Sequence, residues 1–160
     1  MRRLSAIEIA VGVALVGSLA AVAVPAFVSN VHASRFVEPT DGLARLGAAA
    51  VAYAEENGRF PPSAPLTPAA PPRGKKEIDP PGTWDAPTWQ ALGFRASAEG
   101  APHAYAFSFD APPDGRSFTA QARGDLDGDG VLSTFEIRGV APPGGKPEVV
   151  PGMYVEAELE

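Results

Sequence analysis

Hydrophobic and polar positions along this chain change period three times. From Ile9 to Val28 no residue is charged and no polar face recurs. As a helix, those twenty positions would cover roughly 30 Å, about the hydrocarbon thickness of a bilayer. Between Thr40 and Asn57 the pattern becomes one-sided: Leu43, Leu46, Ala50, Tyr53 and Ala54 recur at three and four residues, predicting a helix with one buried face that Gly58 stops. Pro25 is expected to kink the helix near the interface rather than end it. Pro39 is expected to interrupt it, because proline disfavours helical geometry at Glu38. Beyond residue 103 strict alternation takes over. Tyr105, Phe107 and Phe109 predict one strand, Phe118, Ala120 and Ala122 a second, Phe135 and Ile137 a third, and Tyr154, Val155 and Ala157 a last. Pro112 to Gly115 and Pro142 to Gly145 supply the turns.

Residues 61–87 hold nine of the eighteen prolines and lack periodic apolar positions, so neither helix nor strand is predicted. The segment reads as a long surface loop, either a semi-rigid connector or a contact loop. After it, Asp85 is expected to cap a short helical turn with proline in its first turn and Gly93 as its stop. Trp89, Leu92 and Phe94 are then core anchors, with carbohydrate stacking at Trp84 or Trp89 as the alternative to burial. The expected organisation is a leader and membrane half over 1–28, an outer helical part over 29–58, a proline-rich loop over 59–102 and a sheet over 103–160. The last three form one globular domain. The fold class is α+β, a long N-terminal helix packed on a three- or four-stranded antiparallel meander.

Composition narrows the chemistry. With about 130 residues beyond the apolar run there is room for one modest core. The chain has no cysteine, which removes disulfides, thiolate metal sites and cysteine nucleophiles. A net charge of -6 argues against nucleic acid as a partner. Arg2 and Arg3 before the apolar run place the N-terminus in the cytoplasm and the domain across the membrane. Glu156, Glu158 and Glu160 alternate with Ala157 and Leu159 as on a solvated edge strand.

One carboxylate, Glu8, stands at the edge of the apolar run, where burial is costly and a partner is needed. Small residues recur on the run at Ala10 and Ala14, Ala14 and Ser18, and Gly17 and Ala21, spacings that let helices approach closely. Taken together, Leu4-Ser5-Ala6-Ile7-Glu8, Gly17 and Pro25 resemble the N-terminal pattern of type IV pilins and type II secretion pseudopilins. The resemblance covers residues 4–28. It implies a lollipop with the outer half of the helix on a small sheet, and subunits stacking through their apolar helices into a filament. It also implies other copies or related subunits, the membrane and an assembly machinery as partners, with Glu8 setting register against a neighbouring N-terminal amine. The family's leader is cut after a glycine, whereas Arg3 precedes Leu4 here; an uncut chain would leave Arg2 or Arg3 as the partners of Glu8. Inner-membrane residence and then a surface filament are the expected locations.

A second motif carries chemistry. Asp125, Asp127, Asp129, Gly130 and Glu136 match the twelve-residue calcium loop, with the Val131 carbonyl and Ser133 at the other ligand positions. Strand patterns flank the loop where an EF-hand has helices, so a metal-free acidic hairpin is the competing reading. Phe135 and Ile137 facing the core would turn Glu136 outward. No catalytic grouping emerges. His32 and His103 are far apart and read as surface histidines, and Gly42 and Gly47 follow no strand, so they form no phosphate loop. Three functions compete: a filament subunit of a pilus or secretion pseudopilus, a non-polymerising anchored binding module, and an anchored calcium-responsive protein. None of them is an enzyme.

Overall fold

The computed structural model describes residues 5–98 and 100–157, with the backbone alone for Ile9 and 26–35. Arg2, Arg3, Leu4, Glu158 and Glu160, and the side chain of His32, lie outside that description. In chain order the elements are α1 Ala6–Asn57, β1 Ala64–Thr67, α2 Pro87–Leu92, β2 Tyr105–Asp110, β3 Ser117–Gly124, β4 Ser133–Val140, β5 Glu148–Val149 and β6 Tyr154–Glu156. An apolar helix followed by a small antiparallel sheet makes the fold α+β. Two compact units divide the chain, Met1–Phe36 and Val37–Glu160.

In the first unit, Ala6–Pro25 is long and apolar enough to cross a membrane. Ile7, Val11, Leu15, Leu19 and Val22 are all exposed. A stretch that is apolar on every side and buries none of it needs apolar surroundings from elsewhere. The helix begins three residues before the charge-free run, where Ser5 and Glu8 close its first turn. The Ser5 amide donates to Glu8 Oε2 at 2.8 Å, and the Glu8 amide donates to Ser5 Oγ at 3.2 Å. This reciprocal pair satisfies two amides that the helix itself cannot.

In the second unit, Pro39 does not interrupt α1, contrary to the expectation from sequence. A proline inside a helix forfeits one backbone hydrogen bond and crowds the preceding turn, at a cost of about 3 kcal/mol. Two contacts offset that cost. Pro39 is fully buried, and neighbouring Glu38 accepts from the Ala104 and Tyr105 amides while pairing with Lys76. The one-sided stripe behaves as its period predicts: Leu43, Leu46, Ala50 and Ala54 are buried, and Tyr53 is half-buried. Gly58 ends the helix at φ 72°, its amide bonding the Ala54 carbonyl.

The small residues on this helix set how closely it meets the sheet. A Cβ on Gly42 would enter the Phe107 ring, and one on Gly47 would lie 3.0 Å from both Ile137 Cδ1 and Val149 Cγ2. Both glycines therefore serve packing.

Among the described residues the sheet has six strands rather than three or four. Its order is β1-β2-β3-β4-β5, with β6 also pairing β4, and every pairing is antiparallel. β3 alternates without a break, and its buried residues Phe118, Ala120 and Ala122 share a face with Phe107 and Phe109 of β2 and with Phe135 and Ile137 of β4. Phe109 stacks on Phe118 at 5.0 Å, and Phe94 meets Phe107 edge-on at 5.2 Å. Each large side chain so buried contributes roughly 1.5–3 kcal/mol.

Two further expectations are corrected. The proline-rich stretch contains a strand, β1, at the sheet edge, where Pro65 forfeits no ladder bond because an edge strand has one unpaired side. In α2 the N-cap is Ala86, without a side-chain cap, while Asp85 instead accepts from Gln90 Nε2. Proline in the first turn and Gly93 in the left-handed conformation are as expected. Trp84, Trp89, Leu92 and Phe94 are buried, which turns neither tryptophan outward for sugar stacking.

Candidate metal centre

β3 and β4 are joined by the loop that follows the Gly124–Ser133 register pair. Within it Gly128 and Gly130 take φ of 85° and 96°, conformations that glycine adopts without a Cβ penalty. Each aspartate then turns onto its own loop. Asp125 Oδ1 accepts from the Gly128 amide at 2.8 Å, Asp127 Oδ1 from Asp129 at 3.1 Å, and Asp129 Oδ1 from Val131 at 2.7 Å. One carboxylate oxygen from each aspartate lies within 4.8 Å of the others.

The three are unequal. Asp127 and Asp129 are exposed, while Asp125 is 1% exposed and its Oδ2 receives no hydrogen bond. A buried carboxylate oxygen without a donor is costly, since its desolvation goes uncompensated. Arg73 Nε approaches it to 3.5 Å from a side chain that is 74% exposed. Hard oxygen donors of this kind suit a cation such as calcium, magnesium or manganese.

Of the remaining motif positions, Glu136 is not part of the cluster. Ser133 is fully buried and donates from Oγ to the Gly124 carbonyl at 3.2 Å. Glu136 lies on the outer face of β4, where Oε2 accepts from Gln121 Nε2 and Oε1 from Arg138 Nε, each at 2.8 Å. The Gln121 hydrogen bond, helped by Arg138, holds the Glu136 carboxyl below the ordinary value of 4.5 against the opposing effect of burial. A strand's alternation is the cause: with Phe135 and Ile137 inward, Glu136 must point away. Val131 is exposed and gives its amide to Asp129.

Sequence reasoning missed the other polar centre of the domain. His103 is 1% exposed rather than a surface residue. Its Nε2 lies 2.8 Å from Asp79 Oδ2 and its Nδ1 2.9 Å from the Tyr105 carbonyl, while Trp84 Nε1 donates to the same Asp79 oxygen at 2.6 Å. Both ring nitrogens are engaged, so the histidine fastens the proline-rich segment to the start of β2. The exchange of amide bonds between Glu77 and His103 reinforces this. A cavity of about 370 Å³ opens beside Asp79 and Trp84, with Thr83, Arg95 and Ser97 among its walls. The sole sequence cue to this centre is Asp79 close before Trp84, and its distance from His103 hid the pairing.

Gly12 and Gly17 have nothing within 4 Å of a would-be Cβ, and Pro25 lies inside α1. Glu8 closes the cap with Ser5, a role that the Ser-x-x-Glu spacing could have revealed. No protein-family model, curated protein or solved structure matches this chain.

Proposed function

We propose that this protein is a structural subunit of a type IV pilus or of a secretion pseudopilus, held in the inner membrane by its apolar helix before assembly. The observation that carries the reading is the two-part character of α1. Its Ala6–Pro25 portion is apolar and uncovered, while its later portion buries Leu43, Leu46, Ala50 and Ala54 in the domain. In lipid the first portion is a membrane span. In a filament the same surface is covered by other copies, and Gly12, Ala14, Gly17, Ser18 and Ala21 let those helices approach closely.

The absence of native cysteine supplies a clean test. Single cysteines at Ala14 or Gly17 should form disulfide-linked dimers on mild oxidation in cells, whereas Ser63→Cys should not. Monomer at every helix position would remove the stacking reading and leave a membrane-anchored module.

A second reading concerns the acidic loop: Asp125, Asp127 and Asp129 bind calcium outside the cytoplasm. The unbonded, buried Asp125 Oδ2 favours it. Millimolar calcium should raise the melting temperature of the full chain in detergent, and Asp127→Asn should abolish the rise.

A further inference from the structure

We propose that Arg73 is a tethered internal cation that occupies the acidic loop and must swing away when a divalent cation binds there; the proposal rests on the cation-binding reading of Asp125, Asp127 and Asp129. Two independent observations carry it. The first is the incomplete satisfaction of Asp125, a carboxylate 1% exposed whose Oδ2 has no hydrogen bond although Arg73 Nε stands 3.5 Å away. An arginine placed for a structural ion pair ordinarily donates two good hydrogen bonds to its carboxylate. This one neutralises without bonding.

The second is the way Arg73 is held. Its backbone is fixed to the loop, for the Gly74 amide donates to the Asp125 carbonyl at 2.8 Å, and a Cβ on Gly74 would lie 3.3 Å from the Asp127 carbonyl oxygen. The side chain faces solvent. It is 74% exposed, and its guanidinium reaches from Asp125 Oδ2 to a position 3.7 Å from a would-be Cβ on Gly130, so it lies across the loop. An anchored main chain with an exposed side chain lets the guanidinium leave and return while the segment stays docked.

The consequence is competition for one site. A divalent cation among the three aspartates would stand only a few ångströms from the guanidinium, and like charges at that distance repel appreciably even when solvated. Arg73 therefore sets the cation threshold. In the absence of cation it limits repulsion among the three carboxylates and the cost of burying Asp125; when a cation arrives, that task is taken over and Arg73 is released to solvent. A weaker affinity for the cation results than an unopposed triad would have.

The test is calcium titration of the full chain in detergent, by calorimetry, for the unmodified protein, Arg73→Gln and Asp127→Asn. Arg73→Gln should bind calcium roughly three- to tenfold more tightly, the repulsion being reduced by solvent and salt. A cation-free melting curve confirms that it is folded. In the unmodified protein the Arg73 Nε–H resonance should shift on calcium addition while the Gly74 amide keeps its protection from exchange. Binding by Arg73→Gln when the unmodified chain shows none would support the proposal in its strongest form. Equal or weaker affinity for Arg73→Gln overturns the proposal and leaves the cation reading standing. Calcium bound by neither chain overturns the cation reading and the proposal with it, and binding that survives Asp127→Asn places the cation elsewhere and does the same.

Discussion

Glu38 and Tyr105, 67 residues apart in sequence, are joined by a 3.1 Å hydrogen bond from the Tyr105 amide to Glu38 Oε1, which also accepts from Ala104 at 2.6 Å. The bond pins the helix of the domain to the start of β2 beside the buried Pro39. Replacing Glu38 with alanine strands two amides in a part-buried site, and removing a charged acceptor there costs about 1–3 kcal/mol. Lys76→Ala removes only the exposed side of the same cluster and should cost less than about 1 kcal/mol. Urea unfolding of both variants checks the order; equal losses would show that the amide bonds contribute little.

Glycines on the same helix should respond differently. Gly42→Ala gains up to about 1 kcal/mol of helix propensity, yet its methyl must enter the Phe107 ring. Overpacking of that kind costs about 1–3 kcal/mol, so net destabilisation is expected. Gly17→Ala meets nothing within 4 Å and should leave the melting temperature of the domain unchanged. A stabilised Gly42→Ala variant would contradict the packing described for α1 and β2.

The domain should lose stability in acid through Glu136. Its carboxyl is held low chiefly by the Gln121 hydrogen bond, then by Arg138. A carboxyl depressed in the folded state adds stability that is full above the ordinary value of 4.5 and disappears as pH falls through the lower folded value. Gln121→Leu should flatten that acid limb. Urea melts at pH 7 and pH 3 measure it: the gap between the two pH values narrows in the variant, and an unchanged gap would assign the acid sensitivity elsewhere.

Glu8 invites a separation of two roles. Ser5→Ala breaks the reciprocal cap but keeps the carboxylate, while Glu8→Ala removes both. If Glu8 sets register between subunits, Glu8→Ala abolishes filament incorporation and Ser5→Ala only weakens the helix start, by about 0.5–2 kcal/mol. Equal loss of incorporation in the two variants would reduce Glu8 to a capping residue.

Much of this architecture was legible because its signals are local. The Leu43, Leu46, Ala50 and Ala54 stripe and the alternation of Phe118, Ala120 and Ala122 each follow from a single period, and the structure buries all seven. What escaped depends on partners distant in sequence. Pro39 reads as a breaker until Glu38 is seen holding the amides of Ala104 and Tyr105. His103 reads as a surface residue until Asp79 and the Tyr105 carbonyl are found on its two nitrogens. β1 is hidden by Pro65 and the prolines on either side of it, yet an edge strand needs only one side of its backbone paired. At the acidic loop the aspartates were legible from the motif, as was the conflict at Glu136, because a strand's alternation decides the direction of a side chain whatever a motif asks of it. Arg73 carries no motif at all; only the packing of Gly74 on the loop brings it there.

The central claim is that α1 serves first as a membrane anchor and then as the stacking surface of a filament. Shearing whole cells, collecting the extracellular filament fraction and measuring the intact mass of this chain within it tests that claim most directly. For a pilus subunit the account predicts recovery in the sheared fraction, and for a pseudopilus subunit disulfide-linked dimers of the single-cysteine variants in the cell envelope, with the mass showing whether residues 1–3 have been removed. Exclusive retention in the inner membrane, with no disulfide-linked dimers on oxidation of the single-cysteine variants, would contradict it.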